Sequence, residues 1–249
     1  MARQKGILKL EGTIGDVTFY KTQDGHLAKA KGGVSKDRIL TDPKFIRTRE
    51  NGAEFGSAGT SGKLLRDNIR PLMTTAADNR VTSRVTKLMT LILKQDSTSV
   101  RGKRNVGVGV TSAPAKALLK NFNFNLNAIL GSILFKPFAV NTTTGVITIV
   151  GMVPANDVAI PTGATHINIT GGAANINFAT GVVDVKFTNV VNVPIGAPTT
   201  NVTLTPTAVP TGTGTKLFFL KVEFLQQVNA NQYSLKNGAF NALAIVEVA

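Results

Sequence analysis

The sequence predicts an α+β protein: an N-terminal β-meander arm and a basic helical region, followed by a C-terminal antiparallel β-sandwich of immunoglobulin-like kind. Three observations carry this. Residues 6–33 alternate apolar and polar side chains between turn residues, and residues 75–95 repeat apolar side chains at helical spacing. From residue 146 onward, short runs rich in Val, Ile, Thr and Phe recur about every 8 to 12 residues between Gly, Pro and Asn clusters. The boundaries that follow are 1–33 for the arm, 34–105 for the basic helical region, 106–125 for a linker with a short helix, and 126–249 for the sandwich.

In the arm, Ile7, Leu10, Val17, Phe19 and Leu27 oppose Lys9, Glu11, Thr18, Lys21 and Lys29, with breaks at Gly12 to Asp16 and at Asp24-Gly25. This predicts a three-stranded meander in which Val17 to Lys21 pairs with Leu27 to Lys31 across a two-residue Asp-Gly turn. So few large apolar residues cannot make a core, because a small ribbon is marginal in water. Ile7, Leu10, Val17, Phe19, Tyr20 and Leu27 therefore need a partner surface, either the rest of the chain or a neighbouring copy.

Thr41-Asp42-Pro43 supplies a cap and a proline for a helix starting near Pro43. Glycines at 52, 56, 59 and 62 each cost that helix about 1 kcal/mol relative to alanine. Two readings stand: a smooth stripe of Gly52, Gly56 and Gly59 that another backbone approaches, or a helix broken into a glycine loop from about Gly56 to Gly62.

From Thr75 to Gln95, Val81, Val85, Leu88, Met89 and Ile92 lie on one face of an amphipathic helix. The opposite face carries Arg80, Arg84, Lys87 and Lys94, with Arg101, Lys103 and Arg104 just beyond. Residues 1–105 hold 21 Lys/Arg against 10 Asp/Glu, whereas 106–249 hold 7 against 4. That asymmetry favours an anionic partner, nucleic acid or an acidic protein face, at these seven cations, against simple solvation of the helix.

Gly102 to Pro114 has linker composition, and a short helix is predicted at Ala115 to Lys120. Strands are predicted at 146–150, 166–169, 174–178, 182–193, 201–205, 216–228, 232–235 and 240–248, with Asn237-Gly238 as the strongest hairpin signal. The last strand either closes its own sandwich or pairs with another subunit.

The composition is that of a folded chain, 43% apolar with mean hydropathy +0.11. No signal peptide and no run of about 18 apolar residues is present, so the expectation is a protein without membrane association, cytoplasmic when made or carried in an assembled particle. Cysteine is absent. His26 lies at a turn and His166 within an apolar strand, and no metal-ligand cluster, nucleophile motif or phosphate loop occurs. The expectation is therefore a non-enzymatic protein with no catalytic residue, metal or cofactor. The lack of Trp counts against sugar binding and base stacking.

The stretches GTIGDVTFYKTQDGHLAKAKGG, RTRENGAEFG and VEFLQQVNANQYSLKNGAFNAL resemble a family of uncharacterised proteins associated with Bacteroidetes bacteria and their phages. The likeness covers about the first 70 residues and the last 35. More loosely, a hairpin, a basic helix and a terminal β-sandwich resemble small structural proteins of phage particles. The resemblance implies a context and no catalytic residues. Together with the unsupported arm it makes the expected function self-assembly, with other copies and other particle proteins as partners; the alternative is a basic protein binding nucleic-acid phosphates through residues 80–104.

Overall fold

The computed structural model describes residues 1–30, 32–235 and 239–249. Its compact units are Met1–Arg49 and Glu50–Ala249, a division that differs from the predicted boundaries at 33 and 105.

The first unit is a ribbon of four antiparallel strands, β1 (Ala2–Arg3), β2 (Gly12–Ile14), β3 (Val17–Thr22) and β4 (Gly25–Ala30), in the order β1-β4-β3-β2. The meander read from alternation is corrected at its start: residues 7–11 form a loop, β2 falls in the predicted break at Gly12 to Asp16, and β1 precedes the alternating stretch, so only β3 and β4 lie where strands are predicted. The β3/β4 register runs from Val17↔Ala30 to Thr22↔Gly25, which makes Gln23-Asp24 the loop. Of the predicted turn pair only Gly25 has positive φ, at 111°. The Thr22 hydroxyl replaces the expected turn chemistry, accepting from the Asp24 N–H at 3.2 Å and donating to the Gly25 carbonyl at 3.0 Å. Lys31, at the end of the predicted pairing, lies outside the described residues. After the ribbon come α1 (Lys36–Thr41) and a 3-10 turn, Pro43–Phe45, whose start the Asp42 carboxylate caps at 2.9 Å from the Lys44 N–H. The turn leads into α2 (Ile46–Asn68), as the Asp-Pro signal predicts.

In the second unit, α2 is followed by α3 (Arg70–Met73), α4 (Val81–Leu93), α5 (Val106–Gly109) and α6 (Ala113–Leu119). The predicted linker is thus folded. Asn105 and Ser112 cap α5 and α6 with their side chains, Pro114 sits in the first turn of α6, and Val106, Val110, Ala115 and Leu119 are buried. Then come α7 (Leu130–Ile133), β5 (Ala139–Val140), β6 (Ile147–Met152), α8 (Pro154–Asp157), β7 (His166–Ile176), β8 (Val183–Phe187), β9 (Val191–Pro194), β10 (Thr200–Leu204), β11 (Thr215–Val228), β12 (Asn231–Ser234) and β13 (Ala242–Val248). The described strand pairings are antiparallel. The predicted Asn237-Gly238 turn falls outside the described residues.

The organising pair is β7 with β11, in register from Ile176↔Thr215 to His166↔Leu225. Along the outer side of β7 lie β8 and then β9; along the outer side of β11 lie β13 and then β12. A second sheet has the order β10-β6-β5. Alternate residues of the large sheet enter different cores. Leu217, Phe219, Ala174, Ile176, Leu243 and Ile245 pack with Ala58, Leu65, Val85, Met89 and Ile92 of the helices. Phe218, Leu220, Val222, Ile167, Ile169 and Ala244 pack with Ile147, Ile149, Val202 and Leu204 of the smaller sheet. The unit is therefore three layers: helices, large sheet, small sheet. A strand buried on both faces loses its alternation, which explains the unbroken apolar run LFFL.

The predicted strands at 166–169 and 174–178 are one strand, because Gly171-Gly172 is not a turn. A Cβ at Gly171 would collide with the Phe219 carbonyl oxygen, so glycine there serves close packing of β7 on β11. The outer edge of β13 is covered within its own chain by residues 121–124, through Asn121 N–H to Ile245 O at 2.7 Å and Phe124 N–H to Leu243 O at 2.8 Å. That closes the edge that strand pattern alone leaves open.

The strand region also contains a duplication. Asn141-x-x-Thr144-Gly145-Val146 and Asn177-x-x-Thr180-Gly181-Val182 form the same turn. Each Asn carboxamide oxygen accepts two backbone N–H groups at 2.9 to 3.0 Å, and the two glycines have φ of 79° and 78°. Further on, Pro161-x-Gly163-Ala164 and Pro194-x-Gly196-Ala197 each close a turn from Ala N–H to Pro O, at 3.2 and 3.0 Å. Each is followed by an alternating buried pair, Ile167 and Ile169, then Val202 and Leu204. One turn-strand-turn-strand pattern is used twice in succession.

Candidate functional site

The ribbon is a folded sheet without a core: among the described residues of Met1–Arg49, none is buried. Strand alternation and register divide its side chains between two faces. One carries Ala2, Gly12, Ile14, Val17, Phe19, Ala28 and Ala30, with Lys21 and His26 at one end. The other carries Arg3, Thr13, Thr18, Tyr20, Leu27 and Lys29, where the Lys29 ammonium lies 5.7 Å from the Tyr20 ring centre. The predicted contact residues are thus split, Val17 and Phe19 on the apolar face, Tyr20 and Leu27 on the polar one. Ile7 and Leu10 lie in neither strand layer but in the β1–β2 loop. The Gln4 carboxamide ties that loop down, accepting from the Leu10 N–H at 2.9 Å and donating to the carbonyls of Leu10 at 3.2 Å and Leu27 at 3.1 Å. At the bend Ile7 and Leu8 are 102% and 84% exposed, flanked by Lys5 and Lys9. A period-two pattern misses Leu8 because the loop is not a strand; the adjacent apolar pair Ile7-Leu8 is the signal for it.

Helix α2 runs unbroken through its glycines. Gly52, Gly56 and Gly59 face open space, since a Cβ at any of them would meet nothing within 4 Å. Its other side is buried through Glu54, Ala58, Ser61, Gly62 and Leu65.

The seven predicted anion-contact residues separate into two groups. Arg84 is a structural clamp: its guanidinium pairs with Asp78 and donates to the carbonyls of Asn123 at 2.7 Å and Phe124 at 2.8 Å, with the Phe122 ring centre 5.2 Å away. Arg104 forks onto the Glu54 carboxylate with both bonds at 2.8 Å, and Arg101 lies 3.3 Å from Glu50. These three arginines are used inside the chain. Lys87, Lys94 and Lys103 are exposed; Arg80 is exposed as well and is engaged in an interaction of its own.

Three carboxylates of this region, Glu54, Asp78 and Asp96, are acidified. Arg104's hydrogen bond, outweighing burial, holds Glu54 below its usual value. Burial alone raises Asp96, but N–H donors from Ser99, Asn105 and Thr98 reverse this and hold it far below the usual carboxylate range. Asp78 is lowered in the same way, burial being overcome by the N–H groups of Leu126 and Arg80 and by Arg84. A depressed folded-state pKa contributes stability that is present above the unfolded value, near 3.8 for the two aspartates, and is lost as pH falls through and below it. The thermal midpoint is thus expected to be flat from pH 7 to about 5 and to drop steeply below about pH 4. Asp96→Asn is expected to lower the midpoint at pH 7 and flatten the acid limb. Circular-dichroism melts between about pH 2.5 and 7 check this, and an unchanged acid limb in the variant contradicts it.

Other titratable groups are dispersed. His166 Nδ1 is 2.9 Å from the Thr165 hydroxyl, and the buried Lys221 ammonium is 2.7 Å from Glu223, which also accepts from Ser234 at 2.7 Å. Among the described residues there is no group of three or more His, Cys, Asp or Glu able to hold a metal ion, and no helix is long and apolar enough to cross a membrane. No protein-family model, curated protein or solved structure matches the chain.

Proposed function

We propose that this is a non-enzymatic structural protein that self-assembles, a component of a phage or phage-like particle in which the N-terminal ribbon makes the subunit contacts. The observation that carries this reading is a hydrogen-bonded four-stranded ribbon with no buried residue among those described. A ribbon with so little apolar surface is marginal in water and gains stability from a covering surface. In this reading the apolar face with Ile14, Val17 and Phe19 is covered by a neighbouring copy. The two facing sheets are the displayed part, an immunoglobulin-like sandwich with helices on its second side. The particle context rests on the resemblance of the N-terminal and C-terminal motifs.

Two six-residue strands flanked by strands of three and two residues cover roughly 280 Å² on each side, about a third of what a stable two-body interface buries per partner. One ribbon contact is therefore weak, and assembly is multivalent. With a net charge of +14 on every copy, screening of repulsion makes assembly stronger as salt rises. Light scattering and electron microscopy of the full chain are expected to show a defined assembly, absent from a chain that starts at Val34 and melts at the same temperature. Phe19→Ala is expected to weaken association by about 2 kcal/mol, roughly 30-fold. A chain lacking residues 1–33 that forms the same assembly overturns the reading.

A further inference from the structure

Among the described residues, the outer edge of β12 is uncovered. Strand β11 outruns β7: their register ends at Leu225↔His166, while residues 226–228 continue, paired with β12. Every residue from Gln226 to Ser234 is exposed. The pairs Gln226↔Tyr233 and Val228↔Asn231, with the Leu235 N–H on the Phe224 carbonyl at 3.0 Å, turn alternate backbone groups of β12 toward β11. The N–H and C=O groups of Gln232 and Ser234 therefore point outward, where no described residue bonds to them. We infer that this edge pairs with the same edge of a second copy, antiparallel about a two-fold axis at Tyr233, so that the large sheets of two chains become one. The choice of occupant rests on the self-assembly reading above; the contact itself does not need the ribbon.

Three observations lead there. First, the other outer strands of this sheet are closed by devices that soluble proteins use, and β12 has none. Strand β13 is covered by residues 121–124, and β9 ends on Pro194. Strand β8 receives the Thr207 N–H on the Phe187 carbonyl at 3.1 Å and the Thr211 N–H on the Asp184 carboxylate at 2.9 Å. Strand β12 has neither a proline nor a charged side chain, and its register is regular.

Second, the charge pattern selects the occupant. Residues 224–235 carry no charged side chain, in a chain of net charge +14. Two copies repel wherever basic surfaces meet, so a contact between them belongs at a neutral stretch, whereas an acidic partner is drawn to the basic ones.

Third, the edge is held ready and its chemistry fits itself. Gln232 and Asn192 exchange carboxamide bonds at 2.8 and 3.3 Å, and the Ser234 hydroxyl donates to Glu223 at 2.7 Å. The two-residue turn Asn229-Ala230, with φ of 49° and 67°, closes the hairpin tightly. Little ordering is left for a partner to impose. One register uses both outward residues: Gln232 opposite the second copy's Ser234, and Ser234 opposite its Gln232, each a hydrogen-bonded pair. Tyr233, 57% exposed in the single chain, then faces its own counterpart in a non-hydrogen-bonded pair.

So short an edge pairs weakly, and covalent capture reads it. The chain has no cysteine, so single introduced thiols report the register. Full-length Tyr233→Cys under mild oxidation is expected to form a disulfide-linked dimer, because non-hydrogen-bonded antiparallel pairs hold Cα atoms about 4.5 Å apart, within disulfide reach. Asn231→Cys, on the same exposed hairpin, is expected to link at least about tenfold more slowly, since this register sets the two thiols about 14 Å apart along the strands. Gln232→Pro added to Tyr233→Cys removes an outward N–H and no backbone bond to β11, and is expected to abolish linking. Phe19→Ala, which weakens the ribbon contact, is expected to leave linking unchanged, so failure of the ribbon reading does not remove this result. All variants are checked for parental melting. Equal rates at positions 231 and 233 overturn the inference, as does linking that survives Gln232→Pro or that is lost with Phe19→Ala.

Discussion

Replacing either Phe218 or Phe219 with alanine is expected to lower the free energy of unfolding by about 3 to 5 kcal/mol. The two rings are adjacent in β11 and point to opposite faces, yet they are 2% and 0% exposed. Phe219 packs in the core made with the helices, and its ring centre is 6.3 Å from that of Phe124; Phe218 packs in the core made with the smaller sheet. A two-sheet arrangement with a solvated outer face would leave one of these rings near the surface, where its removal costs within about 0.5 kcal/mol. Urea unfolding of both single variants and the double variant separates the cases. The three-layer arrangement requires two large effects that are close to additive, because the rings share no partner layer. A near-neutral result at either position contradicts it.

Arg84→Ala is expected to destabilise the protein by about 3 kcal/mol. The substitution leaves the Asp78 carboxylate and the carbonyls of Asn123 and Phe124 without their common donor. Asp78 still accepts from the Arg80 and Leu126 N–H groups, which keeps the cost below that of a fully orphaned charge. Arg84→Lys is expected to recover less than half of the stability, because an ammonium cannot reach a carboxylate and two carbonyls in the fork geometry of a guanidinium. Thermal melts check the order, parent above Arg84→Lys above Arg84→Ala. Equal stability of all three would make Arg84 a solvated cation like Lys87.

That residue shows where local pattern stops. In the row Arg80, Arg84, Lys87, Lys94 nothing in sequence spacing distinguishes Arg84, whose carbonyl partners lie 39 and 40 positions away, from Lys87, which faces solvent. Arg101 and Arg104 behave alike, since Glu50 and Glu54 are some 50 residues upstream and reach them only after α2 has packed. Ion pairing at long range is decided by packing, and no periodicity records it.

What the sequence determined by itself was local. The amphipathic face of α4, the Asp42-Pro43 start, the short strands with their turn residues and the excess positive charge all follow from side-chain chemistry acting over a few residues. The unsupported apolar set of the N-terminal ribbon was also legible, because too few large side chains can be counted directly. Only the tertiary structure decided the rest. It showed that Gly171-Gly172 lies inside a strand, because the space filled by the Phe219 carbonyl is invisible along the chain. It turned a glycine-rich linker into two capped helices whose Val106, Ala115 and Leu119 are buried in the core shared with the sheet. It placed the unbroken apolar run of β11 between two cores, where burial on both faces erases the alternation by which strands are otherwise read.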